Sequence, residues 1–273
     1  MKEHYAVIGN PVAHSKSPQI HAEFARQTGQ DMGYEWLLAP VDAFAATARQ
    51  FFSAGGKGLN VTVPFKHEAW DMVDAHADSA RDADAVNTIR LEDGKLVGYN
   101  TDGIGLVSDI QRNLGFPIRG KRVLLMGAGG ATHGVMHPLL EQRPDQLVVA
   151  NRTLDKAVSL VKHFQKFEQF ALRGISAQPY AGLAGAQFDL VINATSAGLS
   201  GEMPSLPDGI FAPGALAYDM VYGRDTPFLE FARKNGARAV DGLGMLVEQA
   251  AEAFFIWRGV RPQTAPVIEK LRA

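Results

Sequence analysis

Cysteine is absent from the chain. That excludes disulfides, thiolate catalysis and cysteine-ligated zinc, and it is compatible with a reducing, cytoplasmic setting. No stretch of about 18 consecutive apolar residues occurs, so no transmembrane helix is expected. The opening MKEHYAVIGNPVAH lacks the long apolar run of a signal peptide. An excess of either charge is also missing: 27 Lys and Arg face 29 Asp and Glu, a formal net charge of −2. Such a balance gives no strong attraction to nucleic acid or to an anionic membrane. No internal repeat and no low-complexity tract is visible. His14, His21 and His67 lie near strand tips, but none of the three has metal-ligand spacing, and no metal is expected. What is present is ordinary for a soluble globular protein: 46% hydrophobic and 21% charged residues over 273 positions, enough for one large or two medium domains. A small-molecule substrate fits this composition, and nothing opposes a homodimer.

Strand and helix patterns alternate along almost the whole chain. YAVIG (5–9), YEWLLAPV (34–41) and GLNVTV (58–63) read as strands. Residues 17–29 read as a helix with Ser17 as cap, Pro18 at the first helical position and Gly29 closing it, and residues 42–56 as a second with Asp42 as cap. Residues 86–100 form a hairpin pattern turning at Asp93-Gly94. A helix follows over 101–115 with Asp102 as a possible cap, then two strand–turn–helix units over 121–140 and 146–164. Apolar strands at 188–198 and 214–222 and helices at 226–236 and 244–259 complete the pattern. Continuous apolar strands alternating with helices predict a parallel sheet covered on both faces. The expected architecture is α/β with two domains. A first domain spans 1–101 and is joined by C-terminal helices at 237–273; a second spans 102–236.

VLLMGAGGATHGV sets Gly127, Gly129 and Gly130 between a buried strand and a helix. This is the turn on which a dinucleotide pyrophosphate can lie against backbone N–H groups. The third motif position is Thr132 rather than Gly, and a tight turn without a ligand is the alternative. The next strand ends in ANRTLDK. An NAD site usually carries an acid at that tip, whereas Arg152 and Lys156 suit a 2′-phosphate, which favours NADP. A helix start capped by Thr153 with solvated charges accounts for the same residues.

A nicotinamide enzyme needs a partner for the hydroxyl proton when hydride leaves. Lys66 follows an apolar strand at the edge where α/β sheets bind ligands. Desolvation of an ammonium lowers its pKa and fits lysine for acid–base work. Asp102 could orient it. A solvated lysine and a helix-capping aspartate are the competing readings. Ser15 and Ser17 before a helix N-terminus suit a substrate carboxylate, and Thr62, Asn87 and Gln249 suit hydroxyl groups; taken singly, each reads first as structural, Ser17 as cap, Asn87 as turn residue and Gln249 as surface.

The motifs GNPVAHSKSP, NVTVPFKH, AVNTI, GYNTDG, GAGGAT, ANRT, INATSAG, YDMVY, TPFL and GLGMLVEQA occur in that order. Together they resemble the shikimate dehydrogenase family over nearly the whole chain. The resemblance implies reversible NADPH-dependent reduction of 3-dehydroshikimate to shikimate, in the route to chorismate and the aromatic amino acids. It implies an N-terminal substrate domain, a Rossmann-type NADP domain and an active site in the cleft between them. It places catalytic roles on Lys66 and Asp102 and substrate contacts on Ser15, Ser17, Thr62, Asn87, Tyr222 and Gln249. Cofactor contacts fall on Gly127, Ala128, Gly129, Gly130, Ala131 and Thr132, then on Asn151, Arg152, Thr153 and Lys156, and on Met220, Gly242 and Met245 near the nicotinamide. His133 and Lys156 stand where arginine is frequent in the family. A related enzyme acting on quinate with NAD(P), and a non-catalytic NADP-binding sensor of the same fold, are the alternatives.

Overall fold

A computed structural model of the chain describes residues 2–167 and 174–273. It divides into two compact units, Met1–Gly105 with Leu246–Ala273, and Leu106–Met245. The chain leaves the first unit within one helix and re-enters it within another.

The first unit is built on a six-stranded mixed sheet of β1 (Glu3–Gly9), β2 (Met32–Leu38), β3 (Gly56–Val61), β4 (Ala75–His76), β5 (Thr88–Glu92) and β6 (Lys95–Tyr99). The order across it is β2-β1-β3-β5-β6-β4. β1 runs parallel to β2 and β3, while β5 is antiparallel to both β3 and β6. The ends of β1 and β3, the start of β5 and the end of β6 therefore share one edge. Alternate residues serve opposite faces. Ala6 and Ile8 join Phe44, Leu59, Phe65 and Ile89 on the side of α2 (Phe44–Ser53) and α3 (Lys66–Met72). Tyr5 faces Ile20, Phe24, Phe254 and Trp257 of α1 (Ser17–Thr28) and α9 (Leu243–Arg258). α10 (Ala265–Arg272) completes that layer through Val267 and Ile268.

Among the described residues the second unit holds six strands, all parallel: β7 (Arg122–Met126), β8 (Gln146–Ala150), β9 (Gly174–Gln178), β10 (Phe188–Asn193), β11 (Phe211–Asp219) and β12 (Arg238–Val240). Their order is β12-β11-β10-β7-β8-β9, the doubly wound arrangement whose switch point lies between β7 and β10. Val123 and Leu125 pack with Val135, Leu139, Leu160 and Phe164 of α6 (Gly130–Glu141) and α7 (Leu154–Gln165). Leu124 and Met126 face Phe228 and Leu229 of α8 (Pro227–Lys234). Both faces are thus covered, which is why β7 and β8 read as uninterrupted apolar runs.

Several local expectations need correction. The residue preceding α1 is Lys16 and the one preceding α2 is Ala43, so neither Ser17 nor Asp42 holds the capping position. β3 ends at Val61, and Thr62 lies in the turn beyond it, where the Phe65 N–H bonds the Thr62 carbonyl at 3.1 Å. Lys66, expected only to follow the strand, is the first residue of a helix. β11 covers 211–219, not 214–222. Residues 237–245 group with the second unit because β12 pairs in parallel with β11.

Candidate active site and cofactor loop

In the first unit the shared sheet edge gathers the polar tips. Lys66 is the first residue of α3, and Asp102 opens α5 (Asp102–Ser108). The Lys66 Nζ and an Asp102 carboxylate oxygen are 2.5 Å apart, with side-chain exposures of 28% and 13%. Asp102 opens its helix without serving as the cap: the Asn100 side-chain oxygen accepts the Asp102 N–H at 3.0 Å. The carboxylate is left to Lys66 on one oxygen and, on the other, to the Asn87 amide, which donates at 2.9 Å. Partial burial strengthens such a pair relative to one in open water, and the amide fixes its direction.

Gln249, on α9, accepts a hydrogen bond from the Thr101 hydroxyl at 3.3 Å and donates to the Leu246 carbonyl at 2.8 Å. Gly105 permits this. A Cβ there would lie 2.7 Å from the Gln249 Cβ and 2.8 Å from its backbone nitrogen, so only glycine lets the two helices cross so closely. Ser15 accepts the Ser17 N–H on its hydroxyl at 3.2 Å and donates to the Ser17 hydroxyl at 3.1 Å. Its carbonyl is held by the Trp36 indole at 3.0 Å. Thr62 is half-buried and tied to β1 through its N–H and the Ile8 carbonyl at 3.0 Å. Ser15, Ser17, Thr62, Lys66, Asn87, Asp102 and Gln249 all lie in the first unit. Tyr222 lies in the second, past the end of β11, where burial raises its pKa.

In the second unit the glycine loop occupies the switch point. Gly127 follows β7 with φ +108°, and a Cβ there would stand 3.3 Å from the Ala194 carbonyl, from Thr132 and from Thr195. Gly129, Gly130 and Ala131 are exposed, so the first N–H groups of α6 face outward. The Thr132 hydroxyl beneath them is buried and finds no hydrogen-bond partner among the described residues. Exposed, unsatisfied helix N–H groups over a close-packed glycine turn match the needs of a dinucleotide phosphate. Arg152 and Lys156 are exposed beyond β8, and the Arg152 charge is near enough to the Tyr180 phenol to oppose the burial that raises its pKa to about 12. The Asn151 amide donates to the Thr153 carbonyl at 2.8 Å, and Thr153 takes the capping position of α7. Lys156 lines a cavity of about 410 Å³ with Ala128, His133 and Ser159.

Met220, Gly242 and Met245 are held by a network that the sequence did not reveal. Asp219, fully buried, accepts from Thr226 at 2.5 Å, from the Val221 N–H at 3.0 Å and from the Asn193 amide at 3.2 Å. Burial raises its pKa, and these three donors oppose the rise. The Gly242 N–H bonds the Val221 carbonyl at 3.1 Å. The Tyr218 hydroxyl donates to buried Asp109 at 2.6 Å and accepts the Met245 N–H at 3.2 Å. Burial, then the Asp109 charge, drives the Tyr218 pKa well above the usual phenol value. Polar residues at the last position of apolar strands were the available signal for Asn193 and Asp219.

Among the described residues, no group of three or more His, Asp or Glu side chains could hold a metal, and no helix is long and apolar enough to cross a membrane.

Comparison with known proteins shows the family. Residues 7–89 match the shikimate dehydrogenase substrate binding domain, residues 109–200 match shikimate / quinate 5-dehydrogenase, and residues 242–272 match the shikimate 5'-dehydrogenase C-terminal domain. The shikimate dehydrogenase (NADP(+)) of Halorhodospira halophila is 56% identical over 275 residues, covering all of this chain and 99% of the relative. The crystal structure of an Ael1 enzyme from Pseudomonas putida superposes with a TM-score of 0.93 at 46% identity, covering 99% of this chain and 98% of that one. Shikimate 5-dehydrogenase from Thermus thermophilus, in complex with NADP(H) and shikimate, gives a TM-score of 0.86 at 34% identity, with 99% and 98% covered. With its two folded units, its ordered motifs and full-length relatives of this similarity, the chain belongs to the shikimate dehydrogenase family.

Proposed function

We propose that the protein interconverts 3-dehydroshikimate and shikimate with NADP(H), and that Lys66 and Asp102 carry the proton chemistry. The observation that carries this reading is the Lys66–Asp102 pair at 2.5 Å, on the sheet edge that also carries Asn87 and the serine turn. The relatives named for the NADP-dependent activity support the choice of substrate and cofactor. A cytoplasmic setting belongs to the same proposal, because the reaction draws on the NADP(H) pool.

Bound NADP(H) supplies or accepts the hydride. The protein's residues do the rest. Lys66, paired with a carboxylate, presents an ammonium whose proton goes to the carbonyl oxygen as that oxygen gains charge; in oxidation Lys66 takes the hydroxyl proton back. Asp102 orients Lys66 and accepts from a neighbouring hydroxyl. Asn87, Thr62 and Gln249 position the ring hydroxyls, and Ser15 and Ser17 hold the carboxylate. The backbone of Gly127–Thr132 with Ala128, Gly129, Gly130 and Ala131 would cradle the pyrophosphate. Asn151, Arg152, Thr153 and Lys156 would take the 2′-phosphate, and Met220, Gly242 and Met245 would flank the nicotinamide.

The test is a turnover matrix of shikimate and quinate, each with NADP⁺ and NAD⁺, followed at the absorbance of the reduced nicotinamide. The proposal predicts the highest kcat/KM for shikimate with NADP⁺. A preference for quinate or NAD⁺ would replace the substrate or cofactor assigned here, and no turnover in any arm would overturn an enzymatic role.

A further inference from the structure

Behind the Lys66–Asp102 pair, the first unit contains a run of buried and half-buried polar side chains, of which the proposed chemistry uses only Asn87. The Tyr34 hydroxyl bonds the Asn60 side-chain oxygen at 2.7 Å. The Asn60 amide donates to Thr88 at 3.0 Å and to the Asn87 carbonyl at 3.4 Å. Thr88 bonds the Asn87 side-chain oxygen at 2.9 Å, and Asn87 then donates to Asp102. Asn60, Asn87 and Thr88 are all nearly or fully buried.

Two backbone groups force the direction of every bond in this run. The Thr101 N–H, which can only donate, meets the Asn87 side-chain oxygen at 2.9 Å. The Asn87 carbonyl, which can only accept, faces the Asn60 nitrogen. Neither amide can therefore be flipped. With both amides fixed, Thr88 has one consistent arrangement: it accepts from Asn60 and spends its single proton on Asn87. Tyr34 must likewise donate to Asn60. All donors point the same way, toward the Asp102 carboxylate, and bonds aligned in this manner polarise one another in a low-dielectric interior.

We propose that Thr88 is a positioning residue for catalysis. Its hydroxyl, backed by Asn60 and Tyr34, fixes the Asn87 amide so that Asp102 holds Lys66 in register with the substrate oxygen. The Tyr34 ring, itself half-buried, is stacked on the fully buried His21 ring at 4.2 Å and 7°. This inference rests on the assignment of Lys66 and Asp102 made above.

The test uses the full-length enzyme with Thr88→Val, Thr88→Ser, Tyr34→Phe and, as reference, Lys66→Ala. Valine keeps the shape and removes the hydroxyl. Misplacing a reacting group by about 1 Å can cost up to 10²-fold, so Thr88→Val is expected to lower kcat by about 10-fold or more, with the Kd for NADP⁺ unchanged. The kinetic isotope effect from deuterium on the carbon that loses hydride should rise, because the chemical step becomes slower relative to product release. Thr88→Ser should return kcat to within about threefold of wild type, since it restores the donor and acceptor. Tyr34→Phe should change kcat and the isotope effect in the same direction by less, and it decides the matter if Thr88→Val does not fold. An unchanged kcat and isotope effect in both Thr88→Val and Tyr34→Phe would overturn the relay, as would equal impairment of Thr88→Ser and Thr88→Val. If Lys66→Ala keeps its kcat, the assignment beneath the relay fails instead; if Lys66→Ala collapses while the Thr88 variants do not change, only the relay fails.

Discussion

The two units build their polar sites from different material. In the first, side chains hold side chains: Lys66 is set by Asp102, Asp102 by Asn87, and Asn87 by Thr88 and the Thr101 N–H. In the second, the groups offered at the switch point are backbone N–H groups after Gly127, and buried carboxylates such as Asp219 and Asp109 serve to pin loops. A side-chain site can move protons and is lost by changing an atom. A backbone site carries a fixed partial charge and is weakened by adding one, since a Cβ at Gly127 would sit at φ +108° and crowd three neighbours at 3.3 Å.

That contrast can be broken deliberately, beginning with the largest expected effect. Asp102→Asn keeps the volume but removes the charge opposite Lys66. It should cost about 10²-fold or more in kcat, within the range of positioned acid–base groups, while the Kd for NADP⁺ measured by fluorescence titration stays at the wild-type value. Gly127→Val does the reverse. Forcing a β-branched residue to φ +108° against three neighbours at 3.3 Å should cost roughly 1–3 kcal/mol at the loop, seen as a cofactor Kd weakened by about 10-fold or more.

Arg152→Ala sharpens the second half of the comparison. A charge-assisted bond to a 2′-phosphate is worth about 1.5–3 kcal/mol, so the ratio of kcat/KM for NADP⁺ over NAD⁺ should fall by about 10-fold or more with NAD⁺ turnover little changed. An unaltered ratio would assign the phosphate to other groups.

The smallest effect concerns stability in the first unit. Burial lowers the His21 pKa from 6.5 to about 3, with the nearby Asn60 opposing it weakly, and neither ring nitrogen has a hydrogen-bond partner among the described residues. The unfolded chain therefore binds a proton between these two values that the folded one refuses. Stability is present in full above pH 6.5 and is lost as pH falls through that window, by about 1.4 kcal/mol per unit or about 2 kcal/mol at pH 5. Denaturant midpoints at pH 7 and pH 5 check this. His21→Phe should flatten the slope, and an unchanged slope would place the acid sensitivity elsewhere.

How much of this was legible follows from the range of each signal. The glycine loop, the Asp93-Gly94 hairpin turn and the Gly29 end of α1 depend on adjacent residues, and each is where the sequence pattern puts it. The helix at Lys66–Met72, β4 and β12 are too short for a period of 3.6 or 2 to emerge. Ser17 and Asp102 have the chemistry of helix caps, but each is already the first residue of its helix, with its own N–H accepted by Ser15 or Asn100. Tyr34, Asn60 and Thr88 were not legible at all. Their bonds join positions 26 and 28 residues apart, which only the pairing of β3 with β5 and the placement of β2 bring together.

The separation of proton handling from cofactor holding is tested most directly in Lys66→Ala, with shikimate turnover and the Kd for NADP⁺ measured on the same preparation. The account predicts a kcat lower by roughly 10²–10⁴-fold with the NADP⁺ Kd unchanged. A kcat close to wild type, or a cofactor Kd weakened in proportion to the lost turnover, would contradict it.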